Sequence, residues 1–181
     1  LPDGDHLEGL LEIGRACHGE LGDPDGALDA YGRVLELKPG HKEALDVCEA
    51  VFRDRGDWSS LVEVLEGRLR NSRSATRKQE LRRQLAEAYG GPLGESERAL
   101  DLYRDMVADT PTDMAAHEGI CQILMDQEEL VLLADALKAR LAAMETLEAP
   151  PDIRAVIHCQ MGMLAYASLP EDRGISEAVL Q

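Results

Sequence analysis

What this chain of 181 residues lacks narrows it first. No stretch approaches the roughly 18 uninterrupted apolar residues of a membrane span, and Leu1 to Asp5 has neither a basic n-region nor an apolar h-region. No targeting signal and no transmembrane helix are expected. Positive charge is scarce: 19 Lys and Arg stand against 35 Asp and Glu, a net charge of −16 that repels nucleic-acid phosphates and anionic lipid alike. Neither nucleic acid nor a membrane is the expected partner. The four cysteines, Cys17, Cys48, Cys121 and Cys159, include no CxxC pair and fall on apolar helical stripes. That is the pattern of reduced core residues in a cytosolic protein, so a cytoplasmic address is expected. No stretch shows the strict alternation of a half-buried strand, and the chain reads as all-α.

Catalytic and cofactor chemistry is missing as well. His117-Glu118-x-x-Cys121 puts a His and a Cys on one helical face, as zinc motifs do, but has no third ligand. An earlier copy of the same segment holds Leu45 and Glu49 in those places, so the histidine reads as a satisfied core residue. Cys17-His18 and His158-Cys159 are adjacent pairs that point to different sides of a helix, which separates nucleophile from base. Gly90-Gly91-Pro92-Leu93-Gly94 has no strand before it and no Lys-Ser/Thr after it, and Glu95 and Glu97 would repel a phosphate. No enzyme, no metal and no cofactor are expected.

What is present is a repeat. LGDPDGALDAYGRVLELKP, from Leu21 to Pro39, returns as LGESERALDLYRDMVADTP, from Leu93 to Pro111, and the offset from Leu21 to Leu93 is the length of the duplicated unit. Sliding residues 8–69 onto 80–141 without a gap pairs 16 identical residues of 62, where average composition would give roughly four. Each copy is built as a short packed helix. Asp23 can accept from the free N–H groups of the first turn, and Pro24 brings a helical φ and no N–H that needs a partner. Ala27, Leu28, Tyr31, Val34 and Leu35 form one stripe, and Pro39 ends the helix.

A small residue, an aromatic further along the helix and a closing proline resemble the Ala-x-x-x-Phe … Pro half of the tetratricopeptide repeat, matched by Ala27, Tyr31 and Pro39 and again by Ala99, Tyr103 and Pro111. The preceding helix matches less well, with Ile13, Gly14 and Cys17 in one copy and Leu85, Ala86 and Tyr89 in the other. Both copies carry one residue more than the family between that helix and the alanine. The resemblance implies a right-handed α-solenoid of stacked antiparallel helix hairpins, about four and a half of them. One solenoid domain is expected over 1–181, with units 6–75 and 76–149. A truncated third unit, 150–181, turns near Pro170 and enters a helix carrying Ile175, Ala178 and Val179. Because the first residue is Leu and the last falls inside a helical pattern, a segment of a longer protein is expected.

In tetratricopeptide arrays the first helix of each hairpin lines the concave side. Carried over by helical spacing, that face presents Glu12, Arg15, Glu43, Asp46, Glu80, Arg83, Glu87, Glu118 and Gln122, joined by Glu8, Asp54, Gln84 and Asp126. It is acidic with scattered arginines and has no lysine or asparagine, so the C-terminal-carboxylate grip of peptide-binding family members is disfavoured. The expected function is a non-catalytic protein-interaction scaffold whose partner is a protein or peptide segment of basic or mixed charge, with self-association open. The alternative is a structural spacer or oligomerisation segment with no ligand of its own.

Overall fold

In the computed structural model, which describes residues 3–167, every regular element is a helix. They are α1 (Asp3–Arg15), α2 (Pro24–Leu37), α3 (Lys42–Arg55), α4 (Trp58–Asn71), α5 (Ala75–Gly90), α6 (Ser96–Asp109), α7 (Met114–Asp126), α8 (Leu130–Thr146) and α9 (Pro151–Ala167). The chain divides into two compact units, Leu1–Ala88 and Tyr89–Gln181. In the first, α1 packs on α2, α2 on α3 and α3 on α4; in the second, α6 packs on α7, α7 on α8 and α8 on α9. This succession of helical hairpins is the α-solenoid class expected from the repeat. The second helix of the truncated third unit, with Ile175, Ala178 and Val179, lies outside the described residues.

The organising helix forms as its residues dictate. Asp23 caps α2 by accepting from the Gly26 N–H at 3.0 Å, and Pro24 opens the helix. Ala27 and Val34 are fully buried, and Tyr31 nearly so. They join Leu10, Leu11, Ala44 and Cys48 in a core that spans α1, α2 and α3. Tyr31 lies flat on Gly14, where a Cβ would come within 2.8 Å of its ring, so only glycine leaves room for the tyrosine. Tyr103 lies over Gly119 of the following helix in the same way.

The additional residue of each copy has a definite place. After α1 the chain makes a six-residue π-helical turn, Ala16–Leu21, and the Asp23 N–H donates to the Cys17 carbonyl at 2.8 Å. In the second copy Glu95 donates to the Tyr89 carbonyl at 2.7 Å. Each closure spans one residue more than that of the next hairpin, in which Asp57 donates to Phe52 and Glu129 to Leu124. Gly22 and Gly94, at φ 59° and 68°, make the reversals.

The helix ends are set locally. The first helix leaves α geometry after Arg15. Ser74 caps α5 by accepting from the Arg77 N–H at 3.3 Å. Asp113 caps α7, its carboxylate accepting from the Ala116 N–H at 3.1 Å, and a carboxylate is a strong acceptor at a helix N-terminus. Cys48 and Cys121 are buried and burial raises their thiols, but Cys159 is exposed and is no core residue.

Candidate functional site

The charged residues expected to face a partner lie on α1, α3 and α5 in the first unit and, separately, on α7 in the second. On α1, Arg15 is exposed and reaches Glu43 of α3 through two hydrogen bonds, Nε to Oε1 at 2.7 Å and a terminal NH to Oε2 at 2.8 Å. A longer contact of 3.4 Å goes to Glu8 on its own helix. The Tyr31 hydroxyl donates to the same Glu43 at 3.1 Å, so one carboxylate ties α1, α2 and α3 together. The Arg15 hydrogen bonds hold the Glu43 carboxyl below its usual range, and Arg15 itself is raised. Burial first, then the bond to Glu43, pushes the Tyr31 phenol up to about 12.

On α5 the charges pair within the helix. Arg83 contacts Glu80 at 2.7 Å and Glu87 at 2.6 Å, and the Gln84 amide donates to Glu80 at 2.7 Å. Arg83 is the main reason the Glu80 carboxyl is lowered. On α7, Gln122 donates to Asp126 at 2.9 Å, and Glu118 is largely exposed, with its side chain 3.7 Å from Arg140. Glu12 and Asp54 are exposed. The structure therefore brings Glu8, Arg15 and Glu43 into one network and Glu80, Arg83, Gln84 and Glu87 into another.

Two arginines of second helices, one in each unit, pair with carboxylates of the first helices. Arg68 of α4 pairs with Asp46 of α3 and reaches Glu49 at 3.2 Å, and Arg140 of α8 pairs with Glu118 of α7. Both side chains are mostly buried, at 10% and 14% exposure, and both keep a buried Nε with no acceptor. The offset that carries Leu21 onto Leu93 also carries Arg68 onto Arg140 and Asp46 onto Glu118, so the ion pair is duplicated with the repeat. The identity of Arg68 and Arg140 in the gapless self-alignment is the signal that could have found them.

The candidate metal motif is otherwise occupied. His117 is buried at 4% exposure with Nε2 2.9 Å from the Pro111 carbonyl, and Cys121 is buried beside it. Among the described residues no group of three or more His, Cys, Asp or Glu is placed to hold a metal ion, and no helix is long and apolar enough to cross a membrane. Open clefts lie at the hairpin turns. One of about 640 Å³ is lined by Lys38, His41, Lys42, Glu43 and Asp46, next to the Arg15–Glu43 network.

No family model and no curated protein matches the chain. Solved structures do match. The chain is similar to the crystal structure of MamA, with a TM-score of 0.54 and 19% identity over 81% of each chain. It is similar to MamA 41-end from Desulfovibrio magneticus RS-1, with a TM-score of 0.50 and 22% identity over 77% of this chain and 74% of that one. TTC0263, a thermophilic TPR protein of Thermus thermophilus, aligns over 97% of this chain and 100% of its own at a TM-score of 0.43 and 20% identity. At such identities the likeness to MamA is one of fold. Together with the Tyr31–Gly14 and Tyr103–Gly119 packing, it establishes that the chain has the tetratricopeptide-like helical-repeat fold.

Proposed function

We propose that the chain is a non-catalytic protein-interaction scaffold whose first-helix face receives a basic or mixed-charge segment of another protein. One observation carries this reading: the arginines of that face are already engaged. Arg15 is held by Glu43 and Glu8, and Arg83 by Glu80 and Glu87, so neither guanidinium is available for a partner's carboxylate. Carboxylates outnumber them, and Glu8, Glu12, Asp46 and Glu87 are exposed. A lysine or arginine of a partner meets a favourable field there, and a nucleic-acid phosphate meets the opposite. In this reading the chain is one solenoid segment of a longer protein, with repeat units at 6–75, 76–149 and from 150 onward.

The same pairing also supports a second reading. Charges that satisfy one another within the face are what a solvated spacer needs, and a spacer or oligomerisation segment would hold no ligand. A pull-down with the immobilised chain separates the two. A scaffold retains a partner at low salt and releases it as salt rises, because exposed ion pairs are screened beyond about 8 Å at physiological ionic strength. A spacer retains nothing at any salt concentration.

A further inference from the structure

Residues 68–83, which run from α4 through its connection into α5, hold seven of the chain's 19 basic residues and one of its 35 acidic ones. They form an island of opposite sign in an acidic chain. Its cations divide by what they touch. Arg68 and Arg83 are held by carboxylates, whereas Arg73, Arg77 and Lys78 have none within ion-pair distance among the described residues. Arg73 and Arg77 are exposed and Lys78 is half-buried. The Arg70 side chain is 71% exposed, with one loose contact of 3.7 Å to Glu66 on its own helix. The repeat does without these charges: Ala142, Glu145, Ala149 and Pro150 stand in the places of Arg70, Arg73, Arg77 and Lys78, although Arg140 keeps that of Arg68. Nor do they stabilise α5. Arg77 and Lys78 lie in its first turn, where no acidic residue balances them and a positive charge opposes the helix macrodipole.

We propose that the α4–α5 connection docks an acidic segment of another protein, rich in aspartate and glutamate, on Arg70, Arg73, Arg77 and Lys78. The argument that closes Arg15 and Arg83 to a partner's carboxylate opens these four. Three of them are guanidinium groups, whose planar fork takes a carboxylate in a two-point contact. Nucleic acid fits less well. No aromatic residue lies within 68–83 for a base to stack on, and Glu63 and Glu66 before the four cations and Glu80 and Glu87 after them keep the basic stretch short. A short acidic segment needs no more than that stretch, whereas a long phosphate backbone meets the surrounding carboxylates. This surface goes beyond the reading of the first-helix face and does not depend on it.

The test is fluorescence anisotropy with the full chain and a labelled peptide of glutamate and glycine, alongside its lysine–glycine counterpart and a labelled oligothymidylate. Arg73→Gln with Arg77→Gln and Lys78→Gln removes the three unpaired charges. Arg33→Gln with Lys38→Gln and Lys42→Gln removes as many exposed charges elsewhere, and circular dichroism checks that both variants keep their helices. The glutamate peptide should bind the wild type and weaken as salt rises. It should bind the first variant at least about tenfold more weakly and the second within about twofold of the wild type. Arg73→Lys with Arg77→Lys should retain part of the affinity, since charge is kept and only the fork is lost. Unchanged affinity in the first variant, or equal weakening in both, overturns the proposal. So does tighter binding of the oligothymidylate than of the glutamate peptide, since the island would then serve a phosphate backbone.

Discussion

The guanidinium of Arg15 holds the carboxylate of Glu43 in a two-point contact, at 2.7 and 2.8 Å, across 28 residues of sequence, and so joins the first hairpin to the second. Parallel N–H···O bonds between a planar fork and a carboxylate fix direction as well as distance. The contact makes α1 and α3 one surface in the first unit.

Its acid limit follows from the direction of the shift. Because the folded state lowers the Glu43 carboxyl below 4.5, the unfolded chain binds the proton more readily, and the contact stabilises above that value and is lost as pH falls below it. Thermal midpoints of the wild type and Glu43→Gln should differ at neutral pH and converge as the pH falls well below 4.5. Tyr31 works in the opposite sense. Its phenol is raised from 10.0 to about 12, so its contribution holds below pH 10 and is lost as pH rises through 12, a loss that Tyr31→Phe should not show.

Ala27 is fully buried, and Asp29, two residues on, is exposed and takes no part in the α1–α2–α3 core. Ala27→Phe should overpack that core and cost about 1–3 kcal/mol, while Asp29→Ala should stay within about 0.5 kcal/mol. Chemical denaturation of both variants checks this, and equal midpoints would mean that α2 is rotated about its axis.

Glu128 stands where the first copy has Gly56, and both reverse the chain at positive φ, 59° and 67°. A side chain in that region is disfavoured by about 1–2 kcal/mol, so Glu128→Gly should stabilise by up to about 1 kcal/mol and Gly56→Ala should destabilise by a similar amount. Opposite signs in a paired denaturation experiment are the expected result.

The duplicated pairs Arg68–Asp46 and Arg140–Glu118 place a mostly buried guanidinium under an exposed carboxylate. Asp46→Ala should cost about 1–2 kcal/mol, because it leaves the Arg68 charge short of a partner, and Arg68→Met should recover part of that loss when combined with it. A double-mutant cycle reads the coupling directly. Additive single changes would mean that the pairs do not interact.

Much of this fold was legible because helical packing repeats. Ala27/Ala99 and Tyr31/Tyr103 announced themselves by recurring at the offset of the duplicated unit, and the caps at Asp23 and Asp57 obey local rules. Contacts that occur once left no such trace. Arg15 and Glu43 have Glu87 and Ala115 as their counterparts, so self-comparison could not join them, and neither residue's own helix reveals that α1 and α3 approach. Burial along α9 left no such trace either. Ile153, Val156 and Ile157 share apolar helical spacing, yet only Ile157 is buried, and the offset that aligns the helices, Leu81 to Ile157, is longer than the one from Leu21 to Leu93. Thr112 and Asp113 are both good caps by composition, and only the backbone decides between them.

The most direct measurement compares partner retention by two charge-reversed forms of the chain. Glu12→Lys with Glu80→Lys inverts charge on first helices, α1 and α5, and Asp29→Lys with Asp101→Lys does the same on second helices, α2 and α6. If the first-helix face docks a basic segment, the first pair should lose most of the salt-sensitive partner and the second should retain it. Equal retention by both pairs would contradict the account and place the interface elsewhere.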